Sequence, residues 1–237
     1  MLTLTGRVVL ISGANRGIGL ALAQGLYAKG YSLSLGARDT AALANSTAAM
    51  DPKRIHLARY DAGDWAGQAA WVASAHARFG RIDVLINNAG MSSDMTLRDA
   101  NEAALDAIWA VNCKAPLNMI RCALPHLEAS GSGRVVNVAS LSGKRVANDY
   151  IAYSMSKFAV LALTHGTRRI GWDKGVRTTA ICPSFVRTDM TAGTDKIAPE
   201  NMIDPADLAE LVATVIALPN TASVPELLVN CRFEAMV

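Results

Sequence analysis

The sequence predicts an α/β fold, a doubly wound parallel sheet of seven strands with helices on both faces. Three observations predict it. Short apolar, partly β-branched runs alternate with longer segments of helical period, the order expected when each strand returns through a crossover helix. The runs are continuously apolar, as in strands buried on both faces, rather than alternating. The 237 residues are 51% hydrophobic and 18% charged, a size and composition that suit one large core, read as a single domain over residues 1–237.

The first strand, Arg7–Ser12 (RVVLIS), runs through a glycine-rich turn into a helix over Gly17–Lys29. Ser32–Leu35 and Ile55–Arg59 are the next strands, separated by a helix over Thr40–Met50. A helix over Asp64–Phe79 leads to the strand Val84–Asn87, and one long helix over Asn101–Leu127 leads to the strand Arg134–Ala139. The helix Ile151–Gly171, the strand Arg177–Cys182, the helix Pro205–Leu218 and the strand Leu227–Val229 complete the series. Gly30, Gly80 and Gly171 stand where C-terminal stops belong. The long irregular stretch lies between Pro183 and Asp204.

Composition narrows the function. The start, MLTLTGRVVLISG, lacks the pattern of a secretion signal, and no run approaches the ~18 apolar residues of a membrane span. A cytoplasmic protein without membrane contact is expected. Cys113, Cys122, Cys182 and Cys231 form no CxxC pair and read as buried small hydrophobes, with neither disulfide nor zinc. His56, His76, His126 and His165 show no ligand spacing, so no metal is expected. The formal charge of +3 is dispersed, which argues against a nucleic-acid partner.

In SGANRGIG, Gly13, Gly17 and Gly19 join a strand to an amphipathic helix. Glycine permits a tight turn and close backbone approach, and a helix N-terminus offers unpaired N–H groups to phosphate oxygens. Ligands of open α/β sheets bind beyond the carboxyl ends of the strands, where this loop must sit. A dinucleotide is therefore expected, although the G-x3-G-x-G spacing also suits an ordinary turn. The end of the second strand, LGARD, presents Arg38 where an acid would bind the ribose of NAD. Arg38 and Arg16 can hold a 2′-phosphate by charge-assisted hydrogen bonds, which favours NADP over NAD. Asp39 reads as a helix cap rather than a displaced ribose-binding acid. Asp61, just past the third strand, is placed to accept from an adenine amino group or to cap a turn.

In AYSMSK, Tyr153 and Lys157 lie four residues apart on one helix face. An ammonium within reach favours phenolate over phenol, as acid/base exchange between an alcohol and a carbonyl requires. A lysine laid along an apolar helix is the plain alternative. Ser140, at the end of RVVNVAS, offers a hydroxyl to polarise a substrate oxygen or to cap the turn, with Ser142 a near rival. Asn112 in WAVNCKAP is a polar residue on an otherwise apolar helix side, able to bond backbone and water in a proton path toward Lys157.

Taken together these residues resemble the short-chain dehydrogenase/reductase family over nearly the whole chain. The family's cofactor loop is similar to Ser12–Gly19, its NNAG to Asn87–Gly90, its active serine to Ser140, its YxxxK to Tyr153–Lys157, and its proline segment to CPSFVRT, Pro183–Thr188. The resemblance implies a Rossmann-type fold. It implies that Tyr153 is the acid/base, that Ser140 orients the carbonyl, that Lys157 binds the nicotinamide ribose, and that Asn112 joins a proton relay. It further implies that Gly13, Asn15, Arg16, Gly17, Ile18 and Gly19 cradle the cofactor with Asn88, Ala89, Gly90, Pro183 and Val186, while Thr188 meets the carboxamide. Homodimers or homotetramers through the two long helices are implied as well.

The expected activity is NADP-dependent interconversion of a ketone or aldehyde with its alcohol. Alternatives are a catalytically silent dinucleotide-binding regulator and an epimerase or dehydratase relative, the latter generally carrying a further C-terminal substrate domain that is not expected after residue 237. The closing ELLVNCRFEAMV differs from the glycine-rich tail of members resembling β-ketoacyl-carrier reductases, which points away from that substrate. Met190, Ile197 and Met202 suggest an apolar cover, and Lys144 and Arg145 a contact for an acidic substrate or a solvated pair.

Overall fold

In the computed structural model, which describes residues 1–234, seven parallel strands form one sheet. They are β1 (Val8–Ser12), β2 (Ser32–Ala37), β3 (Ile55–Arg59), β4 (Val84–Asn87), β5 (Arg134–Val138), β6 (Arg177–Pro183) and β7 (Glu226–Val229), in spatial order β3-β2-β1-β4-β5-β6-β7. The order reverses between β1 and β4, which opens a crevice beyond their carboxyl ends. The register places Val9 beside Leu33 on one side and Val84 on the other.

Strand periodicity divides the core. Val9, Ile11, Val84, Ile86, Val136 and Ile181 face α1 (Gly17–Ala28), α2 (Thr40–Ser46) and α7 (Pro205–Ala217), where Leu22, Leu26, Leu43, Leu208 and Val212 pack. Val8, Leu10, Leu85 and Val135 face α3 (Trp65–Phe79) and α5 (Ala115–Ala129), meeting Trp71, Val72, Met119 and Leu127. Successive residues of a strand thus bury on opposite faces, which is why the strands read as unbroken apolar runs. The helix α6 (Ile151–Gly171) completes the second layer; its Val160 and Leu161 pack with Ala139, Leu141 and Ala180.

Several boundaries differ from the sequence reading. The helix expected over Asn101–Leu127 is α4 (Glu102–Trp109), a π-helical turn over Ala110–Lys114, and α5, in one continuous run. The wide turn closes with the Ala115 N–H donating to the Ala110 carbonyl, and it contains Asn112. α2 stops at Ser46 rather than Met50, because the hydroxyls of Ser46 and Thr47 both donate to the Leu43 carbonyl at 2.9 Å and compete with the helix ladder. Gly171 is not a left-handed stop. A further turn over Trp172–Lys174 follows it, and Gly175, with φ +81°, takes that role. A Cβ on Gly171 would lie 2.7 Å from that of Val176, so close packing accounts for the glycine there.

Of the four cysteines, expected to be buried, Cys182 alone is; Cys113, Cys122 and Cys231 are half-buried, and all four are free thiols. Among the described residues no helix is long and apolar enough to cross a membrane, and no group of three or more His, Cys, Asp or Glu is placed to hold a metal ion. The last three residues of the closing segment ELLVNCRFEAMV lie outside the described residues.

Candidate active site

The glycine loop is built by contacts from three strand ends. Gly13 and Gly17 have φ of +68° and +53°, the left-handed region that side chains avoid. Gly19 is fixed by crowding: a Cβ there would lie 2.1 Å from the Gly13 carbonyl oxygen and 2.6 Å from Asn88 Nδ2. The Gly13 and Ala14 N–H groups donate to the Gly36 carbonyl at the end of β2, at 2.8 and 3.2 Å. Asn88 Nδ2 donates to the carbonyls of Ser12 and Gly13, at 3.0 and 3.1 Å. Ser12 Oγ in return accepts from the backbone N–H of Asn88 and of Ala89, both at 3.1 Å. Asn88 and Ala89 therefore shape the loop from beneath.

This cradle fits a dinucleotide pyrophosphate. The helices that follow β2 and β3 are capped by Asp39 and Asp64, whose carboxylates accept from Ala42 N and Gly67 N. No side chain caps α1, whose first-turn N–H groups stay open toward the loop. Thr188, on the segment after β6, closes the far side, its Cγ2 lying 3.3 Å from where a Cβ of Gly17 would stand. Asn15 and Ile18 lie half-buried in the loop and first turn, and Ile18 packs against the core. Val186 is buried, bridges to Ile203, and follows Pro183 at the end of β6.

Arg38 is exposed at the end of β2 and has no ion-pair partner among the described residues. Arg16 has its Nη1 3.3 Å from Asp189 Oδ2 across the loop. Asp39 takes the capping role, its carboxylate 2.9 Å from Ala42 N. Asp61 accepts from Gly63 N at 3.0 Å and from Arg59 Nη2 at 3.2 Å, while the cap of α3 falls to Asp64. Behind the loop, burial pushes the Tyr60 phenol up to about 12 against a hydrogen bond from Ser12 that lowers it.

At the end of β5 the chain turns at Ser140, whose Oγ accepts from Ser142 N at 3.1 Å. Ser140 is thus the extended residue at the strand end, and its rival Ser142 lies inside the turn Leu141–Gly143. That turn is pressed onto α6: a Cβ on Gly143 would lie 2.7 Å from the Lys157 carbonyl oxygen. Tyr153 and Lys157 share the α6 face beside it. Lys157 is 6% exposed, its Nζ 5.5 Å from the Tyr153 ring centroid, and donates to the Val138 carbonyl at 2.9 Å. An ammonium has three N–H groups, so two remain for other partners.

Asn112 is 2% exposed in the π-helical turn. Its Oδ1 accepts from Met91 N at 2.9 Å, and its Nδ2 donates to the Met91 carbonyl and to Ser156 Oγ, both at 3.0 Å. Ser156 Oγ donates to the Tyr153 carbonyl at 2.7 Å, so Asn112 ties the segment following Gly90 to the helix bearing Tyr153. A Cβ on Gly90 would lie 3.3 Å from Asn112 Oδ1 and 3.8 Å from Lys157 Nζ, which gathers the three residues at one point. Burial raises the neighbouring Cys113 thiol to about 11, the Lys157 charge opposing it, so the thiol stays protonated there.

Ser12 and Ser156 escaped sequence reasoning. Ser156 points away from the Tyr153–Lys157 face of α6, and that direction lets it meet Asn112. For Ser12, the signal is its place at the last position of β1, directly before the glycine loop.

The comparisons with known proteins bear on the family and the fold. The family model for short chain dehydrogenase matches residues 7–198. An agropine synthesis reductase of Rhizobium rhizogenes is 47% identical over 230 residues, which are 97% of this chain and 53% of the relative. The chain thus spans about half the length of that relative. A ketoacyl reductase of Nostoc sp. is 34% identical over 236 residues, covering 97% of this chain and 80% of its own. Among solved structures, an alcohol dehydrogenase from the archaeon Thermococcus sibiricus complexed with 5-hydroxy-NADP superposes with a TM-score of 0.86, at 26% identity, over 94% of this chain and 95% of its own. The parallel seven-stranded sheet, the glycine loop and these matches lead to one assignment: the chain belongs to the short chain dehydrogenase family.

Proposed function

We propose that residues 1–237 form a single NADP(H)-dependent reductase unit that interconverts a ketone or aldehyde with its alcohol, with Tyr153 as the general acid/base. The observation that carries this reading is the buried Lys157 ammonium, anchored on the Val138 carbonyl and facing the Tyr153 ring with two N–H groups to spare. A buried cation of this kind is costly unless it meets a developing negative charge or a polar ligand.

Gly13, Asn15, Gly17, Ile18, Gly19, Asn88, Ala89, Gly90, Pro183, Val186 and Thr188 hold the dinucleotide, with Asp61 at the adenine side and Arg16 and Arg38 at the 2′-phosphate. When bound, the nicotinamide supplies or accepts the hydride. Ser140 Oγ donates to the substrate oxygen and orients it. Tyr153 gives its phenolic proton to that oxygen during reduction and takes it back during oxidation. Lys157 holds the nicotinamide ribose and stabilises the charge that develops on the phenolic oxygen. Asn112 keeps the Met91 backbone and Ser156 in place, so that water can return protons toward Lys157.

Selection of NADP is supported by Arg38, which has no ion-pair partner among the described residues, and by the capping role of Asp39, which occupies the acid that NAD would use. The archaeal alcohol dehydrogenase complexed with 5-hydroxy-NADP supports it too. A cytoplasmic setting agrees with the free thiols. Exposed Met155 and Phe158 on α6 support a homodimer or homotetramer through the long helices.

The test is a panel of ketones, aldehydes and alcohols, incubated with NADPH or NADP and followed at the nicotinamide absorbance. Carbonyl-dependent oxidation of NADPH, slower with NADH, is the expected outcome. Tight NADPH binding without turnover on any member of a broad panel would replace the reductase with a binding protein.

A further inference from the structure

The Arg16 guanidinium has a carboxylate partner in this structure. It reaches over the glycine loop to Asp189, Nη1 to Oδ2 3.3 Å, with side chains 68% and 75% exposed. We infer that Asp189 is a selectivity residue: it competes with the 2′-phosphate of NADP for Arg16 and so limits the preference for NADP over NAD. This rests on the NADP reading above and adds to it a residue that works against the phosphate.

The position of Asp189 is set by its backbone. Thr191 Oγ1 accepts from Thr188 N at 3.2 Å and donates to the Val186 carbonyl at 2.5 Å, closing a turn around Asp189. Val186 is in turn bridged to Ile203, and Arg187 pairs with Asp204 at the start of α7. Thr188 touches the loop at Gly17, so the carboxylate next to it is held at the rim of the pyrophosphate cradle. Arg16 is its ion-pair partner among the described residues. Arg16 leaves the loop at an extended backbone position, φ −160° and ψ 172°, and its long side chain is free to swing between two anions.

A solvent-exposed pair of this kind holds its partner by a factor of about 5 at most. A phosphate carries more charge and presents several oxygens to Arg16 and Arg38 together, so NADP displaces the carboxylate. NAD has no such group, and Arg16 stays with Asp189. The cost of parting the pair therefore falls on NADP alone.

The experiment uses the whole chain and measures binding of NADPH and NADH by fluorescence titration at low and high salt. Asp189→Asn is expected to tighten NADPH about 2- to 5-fold at low salt and to leave NADH within a factor of about 2, with the gain shrinking as salt rises. In an Arg16→Ala background the same substitution is expected to give no NADPH gain, while Asp189→Glu keeps the parent ratio. An unchanged NADPH-to-NADH ratio in Asp189→Asn, or a gain that persists without Arg16, would overturn the inference. Failure of the NADP reading looks different: Arg16→Ala and Arg38→Ala would then weaken both cofactors equally.

Discussion

Replacing Gly19 with alanine adds a single methyl group at the most crowded point of the cofactor loop. That carbon would lie 2.1 Å from the Gly13 carbonyl oxygen and 2.6 Å from Asn88 Nδ2, where ordinary contact needs more than 3 Å. Neither neighbour is free to move. Gly13 is tied to Gly36 through its own N–H, and Asn88 Nδ2 donates to both the Ser12 and the Gly13 carbonyl. Overpacking of this kind costs about 1–3 kcal/mol, and loss of an Asn88 hydrogen bond adds about 1 kcal/mol. Together these give about 3 kcal/mol, with the cradle distorted as well. Gly166 is the matched control, since it is exposed in the middle of α6 and nothing lies within 4 Å of its missing Cβ. Gly166→Ala should stabilise by about 0.5–1 kcal/mol through helix propensity. Urea unfolding of both variants, with NADPH titration of each, tests the contrast. A Gly19→Ala protein as stable as the parent and binding cofactor normally would refute the packing argument.

Other expectations follow from single residues. Arg38→Ala should weaken NADPH by about 1.5 kcal/mol, roughly tenfold, and leave NADH nearly unchanged in the same titration. Asn112→Ala strips partners from Met91 N, the Met91 carbonyl and Ser156 Oγ at a buried site, so urea unfolding should register a loss of about 3 kcal/mol; a loss under about 1 kcal/mol contradicts the network. Tyr60 has its folded-state value raised to about 12, chiefly by burial, against about 10 unfolded. Its contribution is therefore complete below pH 10 and is lost as pH rises from 10 to 12. Between pH 9 and 11 the parent should lose about 1 kcal/mol more stability than Tyr60→Phe.

Much of this was legible in the sequence because it is local. Buried strands need unbroken apolar runs, and all seven fall within three residues of where the runs lie. The cofactor loop was legible because left-handed and crowded positions accept glycine alone, and the face shared by Tyr153 and Lys157 because helix geometry fixes it. What escaped depends on partners distant in the chain or on competition among hydrogen bonds. The π-helical turn is visible in sequence only through Asn112, and its partners Met91 and Ser156 lie 21 and 44 residues away. The early end of α2 follows from two hydroxyls competing for one carbonyl. The capture of Arg16 joins residues 173 apart, and no local pattern announces it.

Turnover and cofactor binding, measured side by side in Tyr153→Phe, test the central claim most directly. The substitution keeps the ring that faces Lys157 and removes the oxygen that would carry the proton. The account predicts NADPH affinity within about twofold of the parent and carbonyl reduction slowed by about a hundredfold or more. Reduction at the parental rate with the phenol gone would contradict it.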